Sequence, residues 1–328
     1  MEKRRLGAGG PMVSAIGLGC MSFGGIYGPT DEETSLRCLD AAYGRGVDFF
    51  DTANIYGMGV SEAVLGKWLA SRRPEGVTLA SKCGIVPGPP RRYDNSGAHI
   101  RAELEASLRR LGRDHVELYY IHRRQQEIPV EDVAGTLSRL IEEGKIGGYG
   151  LSEVAPATLR RAHAVHPCRA VQNEYSLWTR LPELGLLRVC TELGVGFVAF
   201  SPLGRGMFGD HPPRPETFPK GDFRRVTPRF MEPNFSANVA ATEGFRAFAR
   251  ERGWSVPALA MAWVLARGPD VIPIPGTRSA GNLMGWIDAG DIRLGEAEMA
   301  EIERLLPAGF AWGDRYSDAQ ASGPERYC

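Results

Sequence analysis

Four residues of different chemical type stand within the first 122 positions of this chain: Asp51, Tyr56, Lys82 and His122. Asp51 and Tyr56 share the segment Asp51-Thr-Ala-Asn-Ile-Tyr-Gly, while Lys82 and His122 each end a short apolar run. Brought together, these types make a proton donor. A tyrosine with an ordinary pKa of about 10 is a poor acid at neutral pH, and a nearby ammonium lowers that value by stabilising the tyrosinate. An ammonium taken out of water needs a counter-ion, which Asp51 can provide. A neutral imidazole can hydrogen-bond a carbonyl oxygen and orient it. The set suits protonation of an oxygen that gains negative charge, as the reduction of a carbonyl requires. Singly, each residue has an ordinary structural use, an aspartate as a helix cap or a lysine beside a surface acid. The combination is what points to chemistry. A metal site is not expected: Cys20, Cys38, Cys83, Cys168, Cys190 and Cys328 form no C-x-x-C, and no Cys/His set has zinc-finger spacing.

The elements that must position the four are legible as an alternation of short apolar runs with longer helical patterns. The strand candidates are Val13 to Gly19, Val47 to Asp51, Val77 to Lys82, Val116 to Ile121, Ile146 to Ser152, Ala170 to Glu174, Gly196 to Phe200 and Val271 to Pro275. Between them, Leu104, Leu108 and Leu111 make an i, i+4, i+7 stripe with Arg109, Arg110 and Arg113 on the opposite face. Asp31-Glu-Glu-Thr and Pro129-Val-Glu-Asp place acids in a first helical turn, where the helix dipole favours them, and Pro156 suits the first turn of another helix. Strand–helix alternation implies parallel strands with right-handed crossovers. An open doubly wound sheet and a closed barrel both fit. The count of eight favours an α/β barrel, as does the lack of a third glycine after Gly17-Leu-Gly-Cys-Met. In such a barrel the strand C-termini gather Asp51, Lys82, His122 and Ser152 at one mouth. Arg4-Arg5-Leu6 and Met12-Val13-Ser14 are read as a hairpin closing the barrel's bottom. Residues 209–233, rich in Pro, Arg and Phe, fall after the seventh strand as a lid rather than a linker. The tail from Pro307 to Cys328 lacks periodicity and is expected to wrap the surface or overhang the site. The whole is read as one domain over residues 1–328.

Composition narrows the partners. Lys+Arg and Asp+Glu are both 39, a balance that argues against nucleic acid. Arg123-Arg124 and Arg224-Arg225 are read as solvated faces. No apolar window reaches the roughly 18 residues of a membrane helix, no signal peptide is visible, and scattered cysteines suit a reducing compartment, so a cytoplasmic protein with a small-molecule substrate is expected. Oligomerisation is open.

The chain resembles the aldo-keto reductases over nearly its whole length. The resemblance is carried by Gly17-Leu-Gly-Cys-Met-Ser-Phe-Gly, Asp51-Thr-Ala-Asn-Ile-Tyr-Gly with Ser61-Glu following, Ala80-Ser-Lys, Leu118-Tyr-Tyr-Ile-His, Gly150-Leu-Ser, Val171-Gln-Asn-Glu-Tyr-Ser, Phe200-Ser-Pro-Leu-Gly-Arg-Gly and Ile274-Pro-Gly-Thr-Arg. It is similar to the branch holding bacterial reductases and potassium-channel β subunits. The resemblance implies a (β/α)8 barrel, NADPH as cofactor, and Asp51, Tyr56, Lys82 and His122 as the catalytic tetrad. It implies that Ser152 and Gln172 bond the nicotinamide carboxamide, that Phe200 stacks on the ring, and that Gly19, Cys20, Met21 and Asp51 lie along the cofactor. Ser201, Pro202, Leu203, Gly204, Arg205 and Gly206 would follow the pyrophosphate. Gly276, Thr277, Arg278 and Asn282 would meet the adenosine end, Arg278 on the 2′-phosphate through its planar fork. Phe23, Tyr27, Ile85 and Trp178, with Tyr56 and His122, are candidates for an apolar substrate pocket.

Three departures stand out. Gly285-Trp286 replaces a Glu-Asn pair that often holds the adenine, Arg123-Arg124-Gln125-Gln126 replaces a segment that often carries an aspartate, and Glu153 replaces an asparagine after Ser152. The leading expectation is an NADPH-dependent carbonyl reductase. A cofactor-binding regulatory subunit resembling the channel β subunits is the alternative, and a barrel lyase or hydrolase would leave the Phe200 and Arg278 segments unused.

Overall fold

Eight short strands, buried on both faces, form a parallel sheet that closes on itself. The computed structural model describes residues 1–88 and 90–326, so Cys328 lies outside the described residues. Two strands precede the barrel, β1 (Lys3–Arg5) and β2 (Met12–Ser14), as an antiparallel hairpin. The barrel strands are β3 (Leu18–Gly19), β4 (Phe49–Asp51), β5 (Thr78–Cys83), β8 (Leu118–Ile121), β9 (Tyr149–Ser152), β10 (Ala170–Glu174), β11 (Gly196–Phe200) and β12 (Val271–Ile274). A second small hairpin, β6 (Ile85–Val86) with β7 (Arg92–Tyr93), follows β5. Each barrel strand pairs in parallel with its neighbours in the order β12-β11-β10-β9-β8-β5-β4-β3. The ring is closed by Gly17 N donating to Pro273 O and Gly19 N to Pro275 O, both at 3.0 Å. Strands buried on both faces must be apolar runs rather than alternating ones, which is why they read as such in the sequence.

Ten helices are described: α1 (Glu32–Gly44), α2 (Val60–Arg72), α3 (Gly97–Leu111), α4 (Val130–Glu142), α5 (Pro156–Val165), α6 (Leu186–Leu193), α7 (Asn234–Glu251), α8 (Val256–Leu265), α9 (Ala280–Met284) and α10 (Glu296–Leu305). Their caps follow local chemistry. Asp31 accepts from Thr34 N at 2.6 Å to start α1, Pro156 occupies the first turn of α5, and Leu104, Leu108 and Leu111 are the buried stripe of α3.

One strand departs from expectation. The run from Val13 to Gly19 divides: its first residues join the hairpin and only Leu18–Gly19 enters the barrel. Ser14 Oγ donates to Ile16 O at 2.8 Å, turning the chain between them. The division lets Leu6 and Val13 fill the barrel's bottom beside Phe49, Leu118, Val198 and Ile272. At the opposite end, residues 201–233 run as short 3-10 turns without a strand or α-helix. The tail crosses that end too. Glu325 N donates to Glu153 O, and the Glu325 carboxylate accepts from Ala155 N, both at 2.8 Å. Among the described residues no helix is long and apolar enough to cross a membrane, and no group of three or more His, Cys, Asp or Glu could hold a metal ion.

Candidate active site

A cavity of about 730 Å³ opens at the C-terminal ends of the strands. That is the size of a small-molecule site, roughly 300–1,000 Å³. Its deep end is built from strand termini. Asp51 ends β4, 2% exposed, and Lys82 on β5 is wholly buried and forms an ion pair with it. Lys82 Nζ also donates to Thr52 O at 2.7 Å and reaches Tyr56 Oη at 3.4 Å. Gln172 Nε2, from β10, donates to the other Asp51 oxygen at 2.8 Å. His122 follows β8, and its ring stands edge-on to Tyr56 with centroids 5.6 Å apart. The four residues expected to converge do so.

The loop carrying Tyr56 is set by close backbone approach. A Cβ on Gly57, whose φ is 60°, would lie 2.7 Å from Gly24 Cα, so only glycine lets this loop pack against the loop after β3.

The electrostatics differ from the sequence expectation at Tyr56. Its pKa is raised above the ordinary value: burial outweighs the nearby Lys82 ammonium, which pulls the other way. Burial also acts against the Lys82 ammonium, but Asp51 and Tyr56 prevail and hold its pKa up. Burial, then Arg123 and Lys82, push His122 well down, so its imidazole is neutral at neutral pH. The mouth therefore holds a protonated phenol, an ammonium behind it and a neutral imidazole beside it.

A continuous wall leads away from this corner. It includes Gly19, Met21, Ser152, Gln172, Phe200, Ser201, Pro202, Leu203, Arg205, Gly206, Gly276, Thr277, Arg278 and Asn282, all named from sequence. Ser201 and Arg205 sit at φ 51° and 56°, left-handed conformations that cost a non-glycine residue energy and often mark functional loops. Two residues expected on this wall are not there. Cys20 spends its N–H on Asp51 O at 2.8 Å and is wholly buried, and Gly204 packs against Trp178 and Phe208. On the substrate side Tyr27, Ile85, Tyr56 and His122 line the cavity, but Phe23 and Trp178 do not. Phe23 is 1% exposed in the core, and Trp178 is held edge-on to Phe208 and Phe230 behind Gly204.

Sequence reading missed Arg91, Phe223 and Tyr316, which also line the cavity, and it took Arg123 and Arg224 for solvated faces where both line it too. The three missed residues lie in segments without periodicity, where only composition was readable. Glu153 proves to be part of a buried ionic cluster. It pairs with Arg315, which reaches Glu174 at 3.2 Å, and Glu174 pairs with Arg205 at 2.9 Å. The tail, the fifth strand's end and the loop after the seventh are joined there. Trp286 is 2% exposed, a core residue with one edge on the cavity.

Geometry of this kind, a closed parallel barrel with a phenol, a buried ammonium–carboxylate pair and a neutral imidazole at its mouth, defines an oxidoreductase acting on carbonyl groups. The chain belongs to the aldo/keto reductase family, whose profile matches residues 15–307. It is 40% identical over 315 residues to a probable aldo-keto reductase 1 of Glycine max, covering 95% of this chain and 91% of that protein. A glycerol dehydrogenase of Gluconobacter oxydans has the same fold, with a TM-score of 0.84 and 32% identity over 93% of this chain and 94% of its own. An aldo/keto reductase of Klebsiella pneumoniae, solved with NADP and acetate, superposes with a TM-score of 0.75 at 26% identity, over 97% and 99% of the two chains.

Proposed function

We propose that this chain is a single-domain cytoplasmic enzyme that reduces a small aldehyde or ketone to its alcohol with NADPH, and that Tyr56 delivers the proton. The observation that carries the reading is the Tyr56–Lys82–Asp51 chain ending in a cavity beside neutral His122. The wall fits the cofactor. Arg278 lies half-buried on it with Gly28 O, at 2.9 Å, as its hydrogen-bond partner among the described residues, leaving donors for a phosphate. Gln172 has given an N–H to Asp51 and keeps its oxygen for a carboxamide, while Ser152 Oγ accepts from Arg123 at 3.1 Å and keeps its own proton to donate.

Bound there, NADPH supplies a hydride to the carbonyl carbon. Tyr56 gives its proton to the carbonyl oxygen, and burial keeps that proton in place until transfer. Lys82 then stabilises the tyrosinate, with Asp51 holding the ammonium charged and in position. His122 adds a neutral imidazole beside the same oxygen. One carbonyl, one NADPH and one proton give one alcohol and one NADP+.

The test is steady-state NADPH oxidation across a panel of aldehydes and ketones, with the alcohol quantified. Stoichiometric alcohol supports the reading. NADPH binding without turnover of any carbonyl would favour a regulatory subunit.

A further inference from the structure

Among the described residues, no acid pairs with either of two arginines at the substrate end. Arg123 directly follows His122, and Arg91 lies at the foot of β7; both line the cavity. Arg123 Nη1 donates to His122 O at 2.6 Å and to Ser152 Oγ at 3.1 Å. Its Nε and Nη2 have no partner among the described residues, and neither has any donor of Arg91. Among the described residues, the acids of the cavity wall and of the ionic cluster beside it are committed elsewhere. Asp51 pairs with Lys82, Glu153 with Arg315, Glu174 with Arg205, and Glu325 lies 3.5 Å from Arg124. Asp210, the other acid on the cavity wall, accepts from Val256 N. Arg124 meanwhile turns to Ile128 O at 3.0 Å and to Glu325, which separates the two neighbours: one is structural, the other faces the site.

The arginine is also held. A Cβ on Gly323 would lie 3.0 Å from Arg123 Cδ, so the tail packs on its stem. Both arginines are close enough to His122 to push its pKa down electrostatically. Keeping His122 neutral and bonding Ser152 leaves Arg123 Nε and Nη2, and the exposed Arg91 guanidinium, facing the site with donors to spare. An anionic substrate suits them, because guanidinium groups bind carboxylate and phosphate oxygens with charge-assisted, often paired hydrogen bonds.

We propose that the physiological carbonyl carries an anionic group, a carboxylate or a phosphate, gripped by Arg123 with Arg91 while its carbonyl sits at Tyr56 and His122. This rests on carbonyl reduction at Tyr56. Charge-assisted hydrogen bonds of this kind are worth roughly ten- to a hundredfold in selectivity.

The experiment compares kcat/KM, with NADPH, for matched pairs: 4-carboxybenzaldehyde against its methyl ester, and glyceraldehyde 3-phosphate against glyceraldehyde. Wild type should favour the anionic member of at least one pair tenfold or more, and which pair responds identifies the anion. The preference should shrink with added salt. In Arg123→Gln the anionic-to-neutral ratio should fall towards one, whatever happens to the neutral substrate's own rate, and Arg91→Gln should lower it in part. If Arg123→Gln does not fold, Arg91→Gln and the salt dependence of wild type decide. Equal efficiency within both pairs overturns the proposal and leaves carbonyl reduction standing. No turnover of any member, with NADPH bound, would instead sink carbonyl reduction itself.

Discussion

Replacing Lys82 by methionine should damage stability and turnover by separable routes. The ammonium is wholly buried against Asp51, itself 2% exposed, so Lys82→Met leaves a buried carboxylate without its counter-charge. Breaking such a pair costs about 3–5 kcal/mol. Gln172 still donates to Asp51 at 2.8 Å, which places the cost near the lower end. For a chain of 328 residues, at about 2.1 cal/mol/K of unfolding entropy per residue, about 3–4 kcal/mol corresponds to a fall in Tm of about 4–6 °C. Adding Asp51→Asn removes the orphaned charge and should restore most of the lost stability, because apolar or neutral replacements of a whole buried pair are often near neutral. Turnover should not follow. With no ammonium beside Tyr56 to stabilise its anion, kcat should stay down roughly 100-fold or more in both variants. Calorimetry and NADPH oxidation on wild type, single and double variants separate the effects. A double variant that regains its rate together with its stability would refute the role given to Lys82.

Three further outcomes follow from the geometry. Arg278→Ala should narrow the preference for NADPH over NADH by about 1.5–3 kcal/mol and leave NADH affinity nearly unchanged, read by titration of both cofactors; an unchanged preference would remove Arg278 from the phosphate. Because burial raises Tyr56 above its ordinary value, its donating form persists through neutral pH, and kcat for reduction should be flat from about pH 7 to 9 and fall only at higher pH. A decline beginning near neutrality would contradict that. Trp286→Ala should cost about 3–5 kcal/mol in urea unfolding, since the indole is a core residue as well as a cavity wall; a loss under about 1 kcal/mol would place it as cofactor contact alone.

The barrel was legible because its strands are buried on both faces and so appear as unbroken apolar runs separated by helices with capped starts. Where one run served two structures, at Val13 to Gly19, periodicity could not show the break, which a Ser14–Ile16 turn imposes. Asp51, Lys82, His122 and Ser152 were readable from strand ends, because the barrel turns chain order into a ring at one mouth. Depth was not. Phe23 and Trp178 are aromatic and near the site in sequence, yet both pack away from the cavity behind its lining. Tyr316 and Arg91 were invisible for the opposite reason: their segments carry no period, and only long-range contacts bring them over the mouth. Glu153 read as a departure from its relatives. Its pairing with Arg315 shows what the acid is for, a tether between the strand and the tail. The sign of the Tyr56 shift also needed the structure, since sequence shows a nearby ammonium but not the burial that outweighs it.

Tyr56 is the proton donor in this mechanism. Single-turnover mixing of NADPH-loaded wild type and Tyr56→Phe with a reducible aldehyde, followed at the cofactor's absorbance, tests it most directly. The phenylalanine variant should bind NADPH within a few-fold of wild type and oxidise it at least about 100-fold more slowly. A variant that binds the cofactor normally and transfers hydride at most of the wild-type rate would contradict the account.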